Sequence, residues 1–184
     1  MKKEDIRRSV RASKCLLSEA DRETAAERVF SRLEELAAFM MSNHILMYHS
    51  LPDELSTRSF LGKWAGRKRF YLPRVNGVNL DILPYDRSRL HLGSFHIEEP
   101  DGDNTVSVDD IEMIVVPAVA YDRKGNRVGR GKGYYDRLLA DSKAVKVGVA
   151  YDFQFVDEID AEPHDIPVDI VITQSRTIIL RRSH

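Results

Sequence analysis

The run from Val116 to Leu139, VPAVAYDRKGNRVGRGKGYYDRLL, constrains this chain more than any other segment. An apolar stretch ending in Val115, Val116 and Pro117 leads into a turn-rich segment carrying Gly125, Gly129, Gly131 and Gly133. Lys124, Arg127, Arg130 and Lys132 are threaded between those glycines, and the amphipathic stretch YYDRLLADS follows at once. Glycine reaches positive φ and lets the backbone approach an anion closely, N–H groups at a helix start point at the charge, and the side-chain cations neutralise it. The pattern predicts a strand, a basic loop and a helix that together cradle phosphate. It is not the dinucleotide fingerprint, because Gly133 comes one residue too early for G-x-G-x-x-G, and it is not a Walker loop, because Gly133 rather than Ser or Thr follows Lys132. A plain structural turn is the simplest alternative. So many like charges repel one another unless an anion sits among them, which favours an anion or nucleotide site.

The rest of the composition narrows the setting. A chain of 184 residues fits one domain, 1–184, with a sizeable core. A net charge of -1 speaks against a nucleic-acid partner, which would call for a basic excess. The basic groups are local: the glycine loop, the amino terminus and Arg67-Lys68-Arg69, a run expected to be a solvated turn. One cysteine, Cys15, leaves no intrachain disulfide, suits a cytoplasmic protein, and is expected to be at least half-buried. The opening MKKEDIRRSVRASK lacks a signal peptide's apolar stretch, and no apolar run is long enough to span a bilayer, so no membrane partner is expected.

Periodicity then lays out the elements. Residues 3–14 form a basic helix with Ile6 and Val10 on one face. Ser18 is an N-cap with Asp21 three residues on, and Ala25, Val29, Leu33 and Leu36 carry that helix to about Phe39. Strands are predicted at 45–48, 70–73, 80–83, 145–150, 169–172 and 177–180, besides the one ending at Val116. Residues 51–54 turn, Ser56 or Thr57 opens a helix toward Ala65, and 85–110 reads as irregular. Strands alternating with helices predict an α/β fold: a three-layer, open, mostly parallel, Rossmann-like sheet with helices on both faces. Ligands of such sheets bind at the carboxyl ends of the strands, which nominates the glycine loop and the turn from Tyr48 to Glu54 as neighbours.

Joined to other landmarks, the glycine loop resembles the 5-formyltetrahydrofolate cyclo-ligase (5,10-methenyltetrahydrofolate synthetase) family. The core of the resemblance is Arg127-Val128-Gly129-Arg130-Gly131-Lys132-Gly133-Tyr134-Tyr135-Asp136-Arg137. Lys3-Glu4-Asp5-Ile6-Arg7, Pro52-Asp53-Glu54-Leu55-Ser56-Thr57, Leu72-Pro73-Arg74, Ile97-Glu98-Glu99-Pro100, His164-Asp165 and Val168-Asp169 support it in order and spacing. The resemblance implies an ATP- and magnesium-dependent ring closure. The formyl oxygen of 5-formyltetrahydrofolate attacks the γ-phosphorus of ATP, N10 attacks the activated carbon, and loss of phosphate leaves 5,10-methenyltetrahydrofolate, ADP and phosphate.

It also implies roles residue by residue. Lys3 and Arg7 would reach the ATP phosphates, although the residues alone read as a frayed basic terminus. The loop Arg127, Val128, Gly129, Arg130, Gly131, Lys132, Gly133, Tyr134 and Tyr135 would bind the nucleotide. Its stretch Arg130 to Tyr134 would also border the folate, with Arg130, Lys132 and Tyr134 as the catalytic groups. Asp136 and Asp169 would hold magnesium, which takes one or two carboxylates alongside phosphate oxygens. Glu54 would accept hydrogen bonds from the pterin N–H groups, and His49 would line the substrate site. One of Tyr134 and Tyr135 would stack on a ring and the other pack the helix start, while Trp64 and Tyr71 belong to the core. The partners implied are ATP and 5-formyltetrahydrofolate, polyglutamylated or not, bound by a monomer. His96 and Asp81 depart from the family's pattern at the pocket rim and in a usually apolar stretch. Two rivals stay open at this point: a sugar-phosphate or acyl-transfer enzyme on a similar sheet, and a nucleotide- or folate-binding regulatory module without catalysis.

Overall fold

In the computed structural model, residues 1–92 and 98–180 are described. His96, expected at the pocket rim, therefore lies outside the described residues.

The first helix, α1 (Lys3–Lys14), forms where the apolar spacing puts it, and it is not frayed. Ile6 and Val10 are 1% and 3% exposed and pack against Ala120, Val128 and Ile159. At about 100° per residue, Lys3, Arg7, Val10 and Lys14 share one stripe, so three cations point the same way as the apolar face. The second helix, α2 (Glu19–Glu34), starts at the expected Ser18 cap: Ser18 Oγ accepts from Asp21 N–H, and the Asp21 carboxylate accepts from Ser18 N–H. It does not continue to Phe39. Leu36 is extended at φ -68° and ψ 133°, and a separate α3 (Ala37–Met41) follows. Leu36 and Phe39 on either side of the break are both buried in the core. Helix α4 (Arg58–Trp64) opens after Thr57, whose hydroxyl donates to Tyr48 O instead of capping the helix.

A seven-stranded sheet organises the chain. Five strands run parallel: β1 (His44–Leu46), β2 (Arg69–Asn76), β6 (Met113–Val116), β9 (Val145–Val149) and β10 (Ile170–Ile172). Antiparallel strands β3 (Asn79–Pro84) and β11 (Thr177–Ile179) close the edges, in the order β11-β10-β9-β6-β1-β2-β3. Alternate residues face opposite sides. Ile45, Met47, Phe70, Leu72, Val115 and Val147 pack with α2, α3 and α4, whereas Leu46, Tyr71, Ile114, Val116 and Val171 meet Leu139 of α5 (Tyr134–Ala140) on the other face. The expected three-layer α/β class is what forms.

Two small ribbons escape the sequence pattern. Strands β4 (Leu90–Leu92) and β5 (Glu98–Pro100) pair within a segment expected to be irregular. Strands β7 (Ala120–Tyr121) and β8 (Arg127–Val128) form a hairpin between β6 and the glycine loop, with Gly125 at φ +81° in its turn. A Cβ on Gly125 would stand 2.5 Å from Val168 O, so the hairpin closes against the approach to β10 only with glycine. Other corrections are local. Cys15 is exposed rather than half-buried. Lys68 is no solvated cation: its Nζ donates to Phe39 O and Ser42 O, capping the carbonyls at the end of α3. Trp64 and Tyr71 pack in or against the core as expected, and Asp81 pairs across β3 and β2 with Arg74 at 3.9 Å. No helix among the described residues is long and apolar enough to cross a membrane.

Candidate active site

A cleft of about 840 Å³ opens where the carboxyl ends of β1 and β6 face the glycine loop. Parallel strands leave their loops at one edge, so the turn after β1 and the segment after β6 meet there although 77 residues separate Asp53 from Arg130. The cleft is lined by Lys3 and Arg7 of α1, by Tyr48, His49 and Glu54 after β1, by Glu98 and Glu99 of β5, and by Arg127 and Gly129 to Asp136. Val128 is fully buried against α1 and does not line it.

The basic wall is braced before any ligand arrives. Arg7 Nε donates to Gly129 O at 3.0 Å, tying α1 to the first residue of the loop. Lys3 Nζ stands 2.6 Å from Asp165 Oδ2. Arg127, its side chain 5% exposed, donates from Nη2 to Asp136 Oδ1 at 3.0 Å and lies over the Tyr135 ring. Its buried Nε has no hydrogen-bond partner among the described residues. Gly131 at φ +98° and Gly133 at φ +70° carry the loop through left-handed conformations into α5. Helix α5 has only seven residues, so the side-chain cations supply most of the positive potential. Tyr135 is packed inward, and burial pushes its phenol well up. Tyr134 sits at the rim, its hydroxyl 3.4 Å from Gly77 O in the β2–β3 turn and its ring beneath Arg137.

The opposite wall is acidic. Glu54 Oε1 accepts from Leu51 N–H at 2.9 Å, and burial raises its carboxyl above the ordinary 4.5. Arg130 reaches across the cleft: its Nη2 is 3.0 Å from Asp53 Oδ1 and 3.8 Å from Glu54 Oε2. His49 Nε2 lies 3.1 Å from Glu98 Oε2, and Arg58 Nη2 approaches the other oxygen at 3.6 Å. Burial lowers the His49 imidazole despite the Glu98 carboxylate, so at neutral pH it is an uncharged wall residue.

Of the two aspartates expected to hold magnesium, only Asp136 is in the cleft. Asp169 precedes β10, where its N–H donates to Lys146 O and its Oδ2 accepts from Lys146 N–H. It stands at the strand's amino end, the edge of a parallel sheet opposite the cleft. The carboxylate that does arrive is Asp165, four residues earlier. Asp136 Oδ1 accepts from the neighbouring Ile166 N–H at 3.2 Å, which draws the Asp165 turn against the start of α5. Sequence reasoning also passed over Glu98, which lines the cleft, and Lys14 and Asp53, which pair beside it, Asp53 also meeting Arg130. For Lys14 a signal existed in its shared stripe with Lys3 and Arg7; for Glu98 it lay only in the family-like segment Ile97-Glu98-Glu99-Pro100, because β5 is placed by tertiary contact with β2.

The profile of the 5-formyltetrahydrofolate cyclo-ligase family matches residues 1–174. The Haemophilus influenzae 5-formyltetrahydrofolate cyclo-ligase is 29% identical over 182 residues, covering 93% of this chain and 97% of that protein. The Escherichia coli K12 enzyme of the same name is 29% identical over 177 residues, covering 91% and 97%. Among solved structures, Aquifex aeolicus 5,10-methenyltetrahydrofolate synthetase superposes with a TM-score of 0.89 at 35% identity, over 99% of this chain and 94% of that one. The Mycoplasma pneumoniae 5,10-methenyltetrahydrofolate synthetase reaches a TM-score of 0.76 over 95% and 99%; at 23% identity it speaks for the fold. The match over nearly the whole chain and the shared fold agree: the protein belongs to the 5-formyltetrahydrofolate cyclo-ligase family.

Proposed function

We propose that the protein converts 5-formyltetrahydrofolate to 5,10-methenyltetrahydrofolate with ATP as the phosphoryl donor. The observation that carries this reading is one cleft with a cationic wall from α1 and the glycine loop facing an acidic wall from β1 and β5. The first suits phosphate oxygens, and the second suits the N–H-rich edge of a pterin.

Phosphoryl transfer is mostly positioning and charge neutralisation. Lys3, Arg7, Arg130 and Lys132 would bind the triphosphate, with Arg127 Nε a buried donor whose natural acceptor is an anionic oxygen. Glu54 would fix the pterin ring and so aim the formyl oxygen at the γ-phosphorus. As that P–O bond forms and the bond to ADP breaks, Arg130 and Lys132 would stabilise the charge that gathers on the transferring group. Attack by N10 then forms the new C–N bond, and the formyl oxygen leaves with inorganic phosphate. Tyr134, at the rim, would cover the reacting atoms and limit water.

Magnesium fits this arrangement through Asp136 and Asp165, two carboxylates from adjacent turns beside the cations; Asp169 does not fit. When bound, the ion would neutralise phosphate charge and help orient the γ-phosphate. Mixing enzyme, magnesium, ATP and 5-formyltetrahydrofolate should raise the methenyl product's absorbance, with no change when ATP is omitted. A folded protein that binds both ligands and yields no product would instead be a regulatory module.

A further inference from the structure

One group of charges beside the cleft belongs to neither ligand site as assigned above. Asp53 sits between Lys14, whose Nζ is 3.4 Å from Oδ2, and Arg130, whose Nη2 is within 3.1 Å of both carboxylate oxygens. Arg22 of α2 locks the base of this arrangement by donating to Lys14 O at 3.0 Å and to Pro52 O at 3.1 Å. The end of α1, the start of α2 and the turn after β1 therefore hold Asp53 in one place.

Arg130 has no such anchorage of its own. It is half-exposed and sits between Gly129 and Gly131, whose φ of +98° leaves the backbone on one side unconstrained by a side chain. Its Nη2 is only 0.8 Å farther from Glu54 Oε2 (3.8 Å) than from Asp53 Oδ1 (3.0 Å). Glu54 is the more buried acid, its side chain 14% exposed against 45% for Asp53. With Oε1 taken by Leu51 N–H, Oε2 is the acceptor through which Glu54 would hold a pterin N–H. An arginine free to choose would settle on that oxygen, because the attraction strengthens where water is excluded.

We infer that Asp53, fixed by Lys14, is a positioning residue that holds the Arg130 guanidinium off Glu54 and so keeps the pterin acceptor open. Burial works to raise the Asp53 carboxyl, but Lys14 and Arg130 outweigh it and keep it below the ordinary 3.8, in keeping with a carboxylate that stays charged for this task. The inference rests on the folate–ATP reading of the cleft and adds a residue that touches neither ligand.

The test is a double-mutant cycle on binding of 5-formyltetrahydrofolate without ATP, read by titration calorimetry. Asp53→Asn, isosteric and at a half-exposed position, should weaken binding about tenfold because Arg130 collapses onto Glu54. In an Arg130→Met background the same Asp53→Asn change should alter the dissociation constant by less than about twofold, since the collapsing cation is gone. A residue with a merely structural role would impose its penalty in both backgrounds. Lys14→Met should weaken binding in the same direction by a smaller factor, and Asp53→Glu should restore most of the affinity lost in Asp53→Asn. Wild-type protein that binds the folate while Asp53→Asn binds equally well overturns the inference alone, as does a penalty that persists without Arg130. Wild-type protein that fails to bind the folate overturns this inference together with the proposed function.

Discussion

Arg127 Nη2 lies 3.0 Å from Asp136 Oδ1, so the strand before the glycine loop and the helix after it are clasped across the loop's base. The arginine is nearly inaccessible, which makes the clasp costly to open from one side. Asp136→Asn should lower unfolding free energy by about 3 kcal/mol, the lower end for breaking a buried ion pair, because Asp136 keeps 22% exposure. The double variant Arg127→Met with Asp136→Asn should recover most of that loss. Urea denaturation of the three proteins checks both statements.

Asp165, proposed above as a magnesium ligand, and Asp169, which pairs with Lys146, should respond differently to substitution. Asp165→Asn should raise the magnesium concentration needed for half-maximal turnover by at least about tenfold. Asp169→Asn should leave that requirement unchanged, since its carboxylate serves Lys146 at the other edge of the sheet. Initial rates across a magnesium series would decide, and an altered requirement in Asp169→Asn contradicts the assignment.

Two glycines with positive φ should fail in different ways. An alanine Cβ at Gly125 meets Val168 O at 2.5 Å, whereas at Gly131 the nearest described atom is Arg7 Nη2 at 4.0 Å. Gly131→Ala should therefore cost only the left-handed backbone strain, about 1–2 kcal/mol, while reducing turnover through a misplaced loop. Gly125→Ala adds a backbone clash and should lower the melting temperature more. Thermal unfolding alongside kcat distinguishes them.

Glu54 should make the unliganded protein less stable as pH rises. Its folded carboxyl is raised by burial, so its contribution is intact below the ordinary 4.5 and is lost as pH climbs through the raised value. Glu54→Gln should remove that slope just above pH 4.5 and make the unliganded protein more stable at pH 7 than wild type. The same substitution should weaken folate binding with ATP affinity little changed. Urea midpoints from pH 4 to 7 would expose an unchanged slope, which would contradict the burial argument.

Helix α1 carries two cleft-lining cations, Lys3 and Arg7, on a helix held by two apolar side chains, Ile6 and Val10. Ile6→Ala should destabilise the docked helix by about 2–5 kcal/mol, the usual range for a buried isoleucine. Hydrogen exchange should show the amides of α1 opening before those of β6 and β9. Turnover should fall with that local opening, at temperatures where the sheet is still intact.

What could be read from the residues alone follows physical locality. The Ser18 box, the burial of Ile6 and Val10 and the parallel strands all depend on spacing within a few residues, and all form. The break at Leu36 was hidden because Glu34, Glu35 and Ala37 are good helix formers and the apolar spacing runs on through it. That Asp165 rather than Asp169 lines the cleft has a positional cause. An acid immediately before a parallel strand lies at the strand's amino end, away from the ligand edge, so position in the strand outweighs residue type. The pairing of Asp53 with Arg130 crosses 77 residues and has no local sign at all.

The docking of α1 has a consequence for how the chain is made. Its apolar partners Ala120, Val128 and Ile159 and the Lys3 counter-ion Asp165 are all translated long after it. At roughly 5–20 residues per second, the 162 residues between Lys3 and Asp165 take on the order of 8 to 30 s to synthesise. Until Ala120, Val128 and Ile159 have been made, Ile6 and Val10 lack the partners they pack against. Helix α1, made well before its partners, is thus expected to be among the last elements to find its place, and the nascent chain to be a ligand for chaperones at that segment.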